Sequence, residues 1–254
     1  MPSGSAAHAV IITGASSGIG RALAIEFGRR GRPVGLLARR EPELAEVAAA
    51  IARAGGKAAW AAVDVTDAAS VQVAVQRLEA ELGPAAIMVA NAGGSFEPKA
   101  DEPLAPAARR TFELNFMGML HAFDAVLPGM KARSEGTIVA VSSLAGWRGL
   151  PFGGTYSAVK AAMRTCMESL RVQLRPRGIA AVNIDPGFVR TPMTEKNRFP
   201  MPFLMEADEA ARIMATGILA GRSQVDFPFL LALVMRIVRL MPNWVYDRVI
   251  RLAF

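Results

Sequence analysis

At 254 residues and 52% hydrophobic content, the chain has room for one large α/β domain or two small ones around a substantial core, which excludes a disordered or low-complexity protein. Cys166 is the only cysteine, so an intrachain disulfide is excluded and a reducing, cytoplasmic setting is the expectation; no Cys/His spacing suggests a metal. The formal charge of +7 suits anionic lipid, a phosphorylated cofactor or plain solubility, and no nucleic-acid partner is expected. Met1 to Ala9 lacks a secretory pattern, and Arg236 and Arg239 break the longest apolar run, so neither a cleaved leader nor a spanning helix is expected.

Ala9 to Ile12 reads as a strand buried on both faces of a parallel sheet. Thr13-Gly14-Ala15-Ser16-Ser17-Gly18-Ile19-Gly20 follows, and helical periodicity begins at Arg21. Strand, glycine turn and helix in that order make a phosphate cradle: Gly14 allows the tight turn, Gly18 lets backbone approach a pyrophosphate, and Gly20 permits close helix packing. Pro33 to Ala38 is the second strand, followed by Arg39, Arg40 and a helix through Ala54. An acid at the end of this strand suits a ribose 2′-hydroxyl and a base suits a 2′-phosphate, so Arg39 and Arg40 predict NADP(H) over NAD(H).

Ala58 to Val63 is the third strand, ending at Asp64-Val65, where a carboxylate could accept from an adenine amino group. Asp67 has the character of a helix N-cap for a helix to Leu82. Ala86 to Ala90 is the fourth strand and delivers Asn91-Ala92-Gly93-Gly94. Pro103 to Met130 reads as a long helix interrupted near its start by Pro106, with Asn115, a mediocre helix former, among Phe112, Leu114, Phe116 and Met117. Gly136 to Val141 is the fifth strand and carries Ser142 and Ser143 at its end. A helix from Thr155 to Leu174 stops at Pro176 and Gly178; Ile179 to Ile184 is the sixth strand, leading into Asp185-Pro186-Gly187-Phe188-Val189-Arg190-Thr191. The alternation predicts an α/β fold: a doubly wound parallel sheet whose polar groups gather at the carboxyl ends of its strands.

Tyr156 and Lys160 differ by four and so leave one helix face a turn apart. A free phenol titrates about 3 units too high for acid–base work at neutral pH, a gap of about 4 kcal/mol. One ammonium about 4 Å away at an effective dielectric near 20 supplies about that much. Lys160 is therefore expected to depress the tyrosine, with Ser143 as a neutral donor to a substrate oxygen.

Thr13-Gly14-x-x-x-Gly18-x-Gly20, Asn91-Ala92-Gly93, Asn115, Ser143, Tyr156-x-x-x-Lys160 and Pro186-Gly187-x-x-x-Thr191 together resemble the short-chain dehydrogenase/reductase superfamily, departing at Ala90, where Asn is commoner. The resemblance covers residues 9 to about 228. It implies a single-domain Rossmann enzyme that moves hydride between NADP(H) and a carbonyl or alcohol. By the same resemblance, Tyr156 is the general acid, Ser143 holds the carbonyl oxygen, Lys160 binds the nicotinamide ribose, and Asn115 positions a water that links Lys160 to solvent. Gly14, Ser16, Ser17, Gly18 and Ile19 would line the phosphates, Asp64 and Val65 flank adenine, and Asn91, Ala92 and Gly93 lie beside the adenosine ribose. Pro186, Gly187, Val189 and Thr191 would approach the carboxamide. Members commonly form dimers or tetramers, and Met163, Cys166, Met167 and Leu170 on the tyrosine helix are the expected subunit face.

Residues 192 to 205 occupy the place of a substrate loop, and Phe199, Met201, Phe203, Leu204 and Met205 make it apolar, which favours a hydrophobic carbonyl or alcohol substrate. After a short strand, Gln224 to Phe227, residues 229–254 form a C-terminal helical extension to the domain of residues 1–228. In a helix from Phe229 to Leu240, Ala232, Arg236 and Arg239 share a narrow face and the rest is apolar; Pro242-Asn243 breaks it, and Trp244 to Phe254 repeats the theme. Such a face calls for cover by the domain or a second subunit first, and by peripheral membrane contact second. The rival readings are an epimerase or isomerase on the same residues, a silent NADP(H)-binding regulator, and a membrane-surface module.

Overall fold

The apolar runs become seven strands: β1 (Ala9–Thr13), β2 (Val34–Ala38), β3 (Ala58–Ala62), β4 (Ala85–Ala90), β5 (Gly136–Val141), β6 (Ile179–Pro186) and β7 (Gln224–Phe227). In the computed structural model, which describes residues 8–98, 101–151, 153–197 and 199–253, all pair in parallel as one sheet in the order β3-β2-β1-β4-β5-β6-β7. The intervening segments form α1 (Gly18–Arg29), α2 (Glu41–Arg53), α3 (Ala68–Leu82), α4 (Leu104–Phe112), α5 (Gly118–Arg133), α6 (Gly154–Leu174), α7 (Ala207–Leu219), α8 (Phe229–Leu240) and α9 (Asn243–Ala253).

Strand residues alternate between two cores, as a period of two requires. Ile11 and Ile138 face Leu78 of α3, Phe123 of α5 and Met163 of α6; Ile12 and Ile184 face Leu23 of α1, Leu44 of α2 and Met214 of α7. The chain winds outward from β1 to β3 and then returns to the other side of β1 with β4, so a crevice opens between the carboxyl ends of β1 and β4.

Three expectations are corrected. Pro106 does not interrupt a helix: it sits in the first turn of α4, where no intrahelical carbonyl needs its missing N–H. The break falls instead at Glu113–Met117, a π-helical turn centred on Asn115. In the Met163, Cys166, Met167 and Leu170 stripe of α6, Met163 and Met167 are buried in the core of their own chain, so they are not available to a subunit face, while Cys166 and Leu170 are half-buried beside them. Ala232 marks the inward side of α8 rather than its polar side: Ala232 and Met235 pack on Leu144 and Trp147. Asp67 does cap α3, accepting from the N–H groups of Ala69 and Ser70. Sequence periodicity left residues 206–223 unassigned, and α7 occupies most of them. Met1 to Ala7, Arg198 and Phe254, included in the readings of the N-terminus, the substrate loop and the last helix, lie outside the described residues.

Candidate active site

Thr13 ends β1 with a buried hydroxyl that accepts from the backbone N–H groups of Asn91 and Ala92, each at 3.0 Å. The Asn91 amide donates back to the carbonyls of Thr13 (3.0 Å) and Gly14 (3.3 Å), so the ends of β1 and β4 are stitched together where the crevice opens. Gly14 and Gly18 have φ of 67° and 54°, and a Cβ on Gly14 would stand 2.8 Å from the Ala92 Cα. Backbone alone fits this turn. Helix α1 then starts at Gly18, and its cap residue Ser17 offers its first-turn N–H groups no side-chain partner, the arrangement that suits an anion.

On the β2 side, Arg40 donates to the Ser16 hydroxyl at 3.0 Å and pairs with Glu43 at 3.0 Å. Its guanidinium thus reaches back over the glycine turn. Arg39 extends beside it, 72% exposed and 3.8 Å from Asp64. The Thr66 backbone N–H (2.9 Å) and hydroxyl (2.8 Å) hold the Asp64 carboxylate, and the backbone bond does most to keep its pKa below the usual range, with Arg39 adding to it.

On the β5 side, Ser142 and Ser143 leave the sheet together. The buried Ser142 hydroxyl donates to the Lys160 carbonyl at 2.8 Å, tying the strand end to α6. Ser143 caps the short turn Leu144–Gly146, accepting from the Ala145 N–H at 3.1 Å. At Gly146 an added Cβ would fall 2.8 Å from the Lys160 carbonyl carbon, so the turn lies against α6 and holds Ser143 near Tyr156. The Lys160 side chain is 3% exposed; its ammonium donates to the Val141 carbonyl at 2.9 Å and sits 5.5 Å from the centre of the Tyr156 ring.

Electrostatics here run against the sequence expectation. Burial pushes the Tyr156 phenol up to about 12, an effect that a hydrogen bond with Ser143 only partly offsets and the Asp185 charge adds to. Burial likewise pulls Lys160 down to about 8, against the opposing pull of Asp185. The Coulomb argument allowed for the ammonium's attraction but not for desolvation of both groups, and desolvation wins. Without a further positive charge the tyrosine is a held proton donor, not a poised base.

Asn115 is fully buried in the π turn, a geometry that recurs at functional sites. Its amide donates to the carbonyls of Gly94 and Thr111, both at 2.8 Å, and its oxygen accepts from the Gly94 N–H at 3.3 Å. A Cβ on Gly93 would lie 2.7 Å from the Asn115 oxygen and 3.6 Å from the Lys160 nitrogen; glycine leaves that space open.

These groups surround one cleft of about 540 Å³, and every residue named from the sequence for the cofactor or the chemistry lines it, from Gly14, Ser17 and Ile19 through Val65, Gly93 and Asn115 to Pro186, Gly187, Val189 and Thr191. Ala38, Val63 and Leu114 line it too, and sequence reasoning assigned none of them to the site; Pro192, Met193 and Thr194, at the start of the expected substrate loop, complete the lining. The long cleft, its glycine turn and its two flanking arginines fit a dinucleotide. Residues 8–201 match the family model described as short chain dehydrogenase. The chain belongs to the short chain dehydrogenase family.

This short chain dehydrogenase is 41% identical over 241 residues, 95% of each chain, to an uncharacterized oxidoreductase of Myxococcus xanthus (strain DK1622). A solved short-chain dehydrogenase from Sphingobium yanoikuyae in complex with NADPH is 28% identical with a TM-score of 0.78, over 87% of this chain and 88% of that one. A 3-oxoacyl-[acyl-carrier protein] reductase with bound NAD from Brucella melitensis is 29% identical with a TM-score of 0.76, over 87% and 89%. The protein is thus an oxidoreductase of this family with its Rossmann-type fold. Its solved relatives hold either dinucleotide, so membership alone does not choose between them.

Two groups at the short chain dehydrogenase site escaped sequence reasoning. Glu97, in the loop after β4, accepts from the Tyr156 N–H at 3.0 Å and the Thr155 hydroxyl at 2.7 Å, supplying from a distance the cap that Gly153 cannot give α6. Asp185, wholly buried at the end of β6, accepts from Trp147 Nε1 and Arg164 Nη1 at 2.6 Å each and from Asn183 and Gln224 at 2.9 Å each. Burial pushes its pKa up, while the bonds from Trp147 and Asn183 and the Arg164 charge pull the other way.

Proposed function

We propose that the protein is an NADP(H)-dependent reductase of hydrophobic aldehydes or ketones, acting in reverse as an alcohol dehydrogenase. One juxtaposition carries this reading: Ser143, Tyr156 and Lys160 line the same cleft as the glycine turn, which has Arg39 and Arg40 on its β2 side. In this reading Gly14, Ser16, Ser17, Gly18 and Ile19 hold a diphosphate, and Arg39 and Arg40 a 2′-phosphate. Asp64 and Val65 flank the adenine, and Asn91, Ala92 and Gly93 its ribose. Tyr156 and Lys160 meet the second ribose, and Pro186, Gly187, Val189 and Thr191 the carboxamide. When bound, the dinucleotide supplies or accepts the hydride.

The chain itself handles the proton. The Ser143 hydroxyl donates to the carbonyl oxygen, and the Tyr156 phenol gives that oxygen its proton as alkoxide character develops. A phenol held near 12 enters the reductive direction in its donor form at neutral pH. Lys160, brought down to about 8, is able to return the proton to the phenolate, and Asn115 seats a water that recharges Lys160 through the space left by Gly93. Met193 lines the cleft while 46% exposed, and further along the same loop Phe199 packs edge-on to Phe188 with ring centres 6.0 Å apart, which supports an apolar substrate. We read the active form as a homodimer or homotetramer, which light scattering checks directly.

Turnover of NADPH and NADH across aldehydes and ketones of increasing chain length tests the proposal. Faster consumption of NADPH than NADH, rising with substrate apolarity, is the expected result. Cofactor binding with no consumption across the panel would overturn it.

A further inference from the structure

The wide apolar face foreseen for the C-terminal extension is only half covered. Ala232 and Met235 bury the inner side of α8 on Leu144 and Trp147, whereas Phe229 (71%), Leu230, Leu233, Val234, Ile237 and Leu240 (83%) remain exposed, with Trp244 (75%) just beyond. At 3.6 residues per turn these six occupy about half the helix circumference with no charge among them. That contiguous surface exceeds the scattered apolar residues a folded domain normally shows to water.

Charge at the border indicates the partner. Arg236 and Arg239 flank the face, and Arg248 and Arg251 are exposed on α9; α8 has no acid and α9 only Asp247. Asp226, just before the helix, engages Arg236 at 3.0 Å, yet that arginine side chain stays 58% exposed. Pairing two copies through this face would bring arginine borders together with no carboxylate on α8 to offset them. A surface of phosphate groups over acyl chains matches both features at once. Among the described residues no helix is long and apolar enough to cross a membrane, and α8, at 12 residues, reaches only about 18 Å against the roughly 30 Å of a bilayer core.

We propose that α8 lies flat on an anionic bilayer, with its Phe229-to-Leu240 face among the acyl chains and its arginine border at the phosphates. The helix is placed to matter for the site. A Cβ on Gly187, which lines the cleft, would come within 2.6 Å of Leu231 and 3.0 Å of Pro228, so the start of α8 packs directly on the cleft wall. Docking stands on the surface alone; its consequence, delivery of a lipid-partitioned substrate, rests on the reductase reading above.

The test is co-sedimentation of the full chain with phosphatidylcholine vesicles, with and without phosphatidylglycerol. Binding to the anionic vesicles is expected, roughly tenfold or more weaker to phosphatidylcholine alone, and weaker in high salt. Val234→Asp with Ile237→Asp, both solvent-facing, should lose it while keeping NADPH affinity. Arg239→Gln with Arg251→Gln, which leaves the apolar face intact, should lose most of the dependence on phosphatidylglycerol. Failure of the unaltered chain to pellet with anionic vesicles overturns the proposal, as does equal binding to both lipids. So does a drop in oligomeric state of the aspartate variant by light scattering, which would assign the face to a second copy. Vesicle binding without carbonyl turnover would remove the reductase reading and leave docking standing.

Discussion

Arg164 meets Asp185 at 2.6 Å one helical turn beyond Lys160, with the carboxylate wholly buried and the arginine side chain 16% exposed. The Asp185 charge acts on both Tyr156 and Lys160, raising the pKa of each. Its neighbours Gln224 and Asp226 lie on β7, and Asp226 engages Arg236 of α8. One polar chain therefore runs from the tyrosine helix to the C-terminal extension.

Asp185→Asn should shift the proton inventory of the site without touching its shape. Lys160 falls further below about 8 and Tyr156 comes down from about 12, so any limb of NADPH turnover that titrates with Lys160 should move to lower pH. Arg164 loses its buried partner and keeps Glu168, at a cost of about 1–3 kcal/mol. Arg164→Met should cost more, about 3–5 kcal/mol, because it leaves a buried carboxylate without its counter-charge, although the bonds from Trp147, Asn183 and Gln224 remain. Turnover against pH and denaturant unfolding check the two halves separately.

Stability should depend on pH through the same pair of groups. Lys160 titrates at about 8 folded and 10.5 unfolded, so below pH 8 both states hold the proton and the cost of the buried ammonium is fully present. As pH rises from 8 to 10.5 the folded state sheds its proton first and stability increases. Tyr156 works in the opposite sense: above pH 10 the unfolded chain ionises while the fold resists until about 12, and stability falls. Lys160→Met should flatten the rise and Tyr156→Phe the fall, each read from unfolding curves taken across that range.

Arg40 reaches the glycine turn through Ser16, so Arg40→Ala should discriminate between the dinucleotides. Loss of a charge-assisted contact to a 2′-phosphate lowers kcat/KM for NADPH by roughly 10–100-fold and leaves that for NADH nearly unchanged. Equal losses for both would remove the arginine from cofactor choice.

Glu97 caps the turn that carries Tyr156, and Glu97→Ala should cost about 1–2 kcal/mol, with faster amide exchange at Tyr156 and a lower kcat. Glu97→Gln keeps an acceptor oxygen in place and should restore most of the protection.

The sheet and the glycine turn were legible because buried parallel strands read as continuous apolar runs and because Gly14 and Gly18 occupy backbone conformations that other residues rarely adopt. Groups held by distant partners were not. Asp185 meets Trp147 across 38 positions and Glu97 meets Tyr156 across 59, separations that local spacing does not encode. The π turn at Asn115 depends on its bonds to Gly94, 21 positions away. Burial, likewise invisible in a Tyr-x-x-x-Lys spacing, reversed the expected direction of the tyrosine shift. In α8 the helix is apolar almost all round, so periodicity grouped Ala232 with the arginines without naming an inner side, and the packing of Ala232 and Met235 on Trp147 and Leu144 decides it.

The central claim is that the Tyr156 phenol passes a proton to a carbonyl oxygen held by Ser143. Carbonyl-dependent NADPH oxidation by Tyr156→Phe, measured beside its NADPH affinity, tests this most directly. The account predicts a loss in kcat of roughly 100-fold or more with cofactor affinity kept within a few-fold. Unchanged kcat in the phenylalanine variant would contradict it.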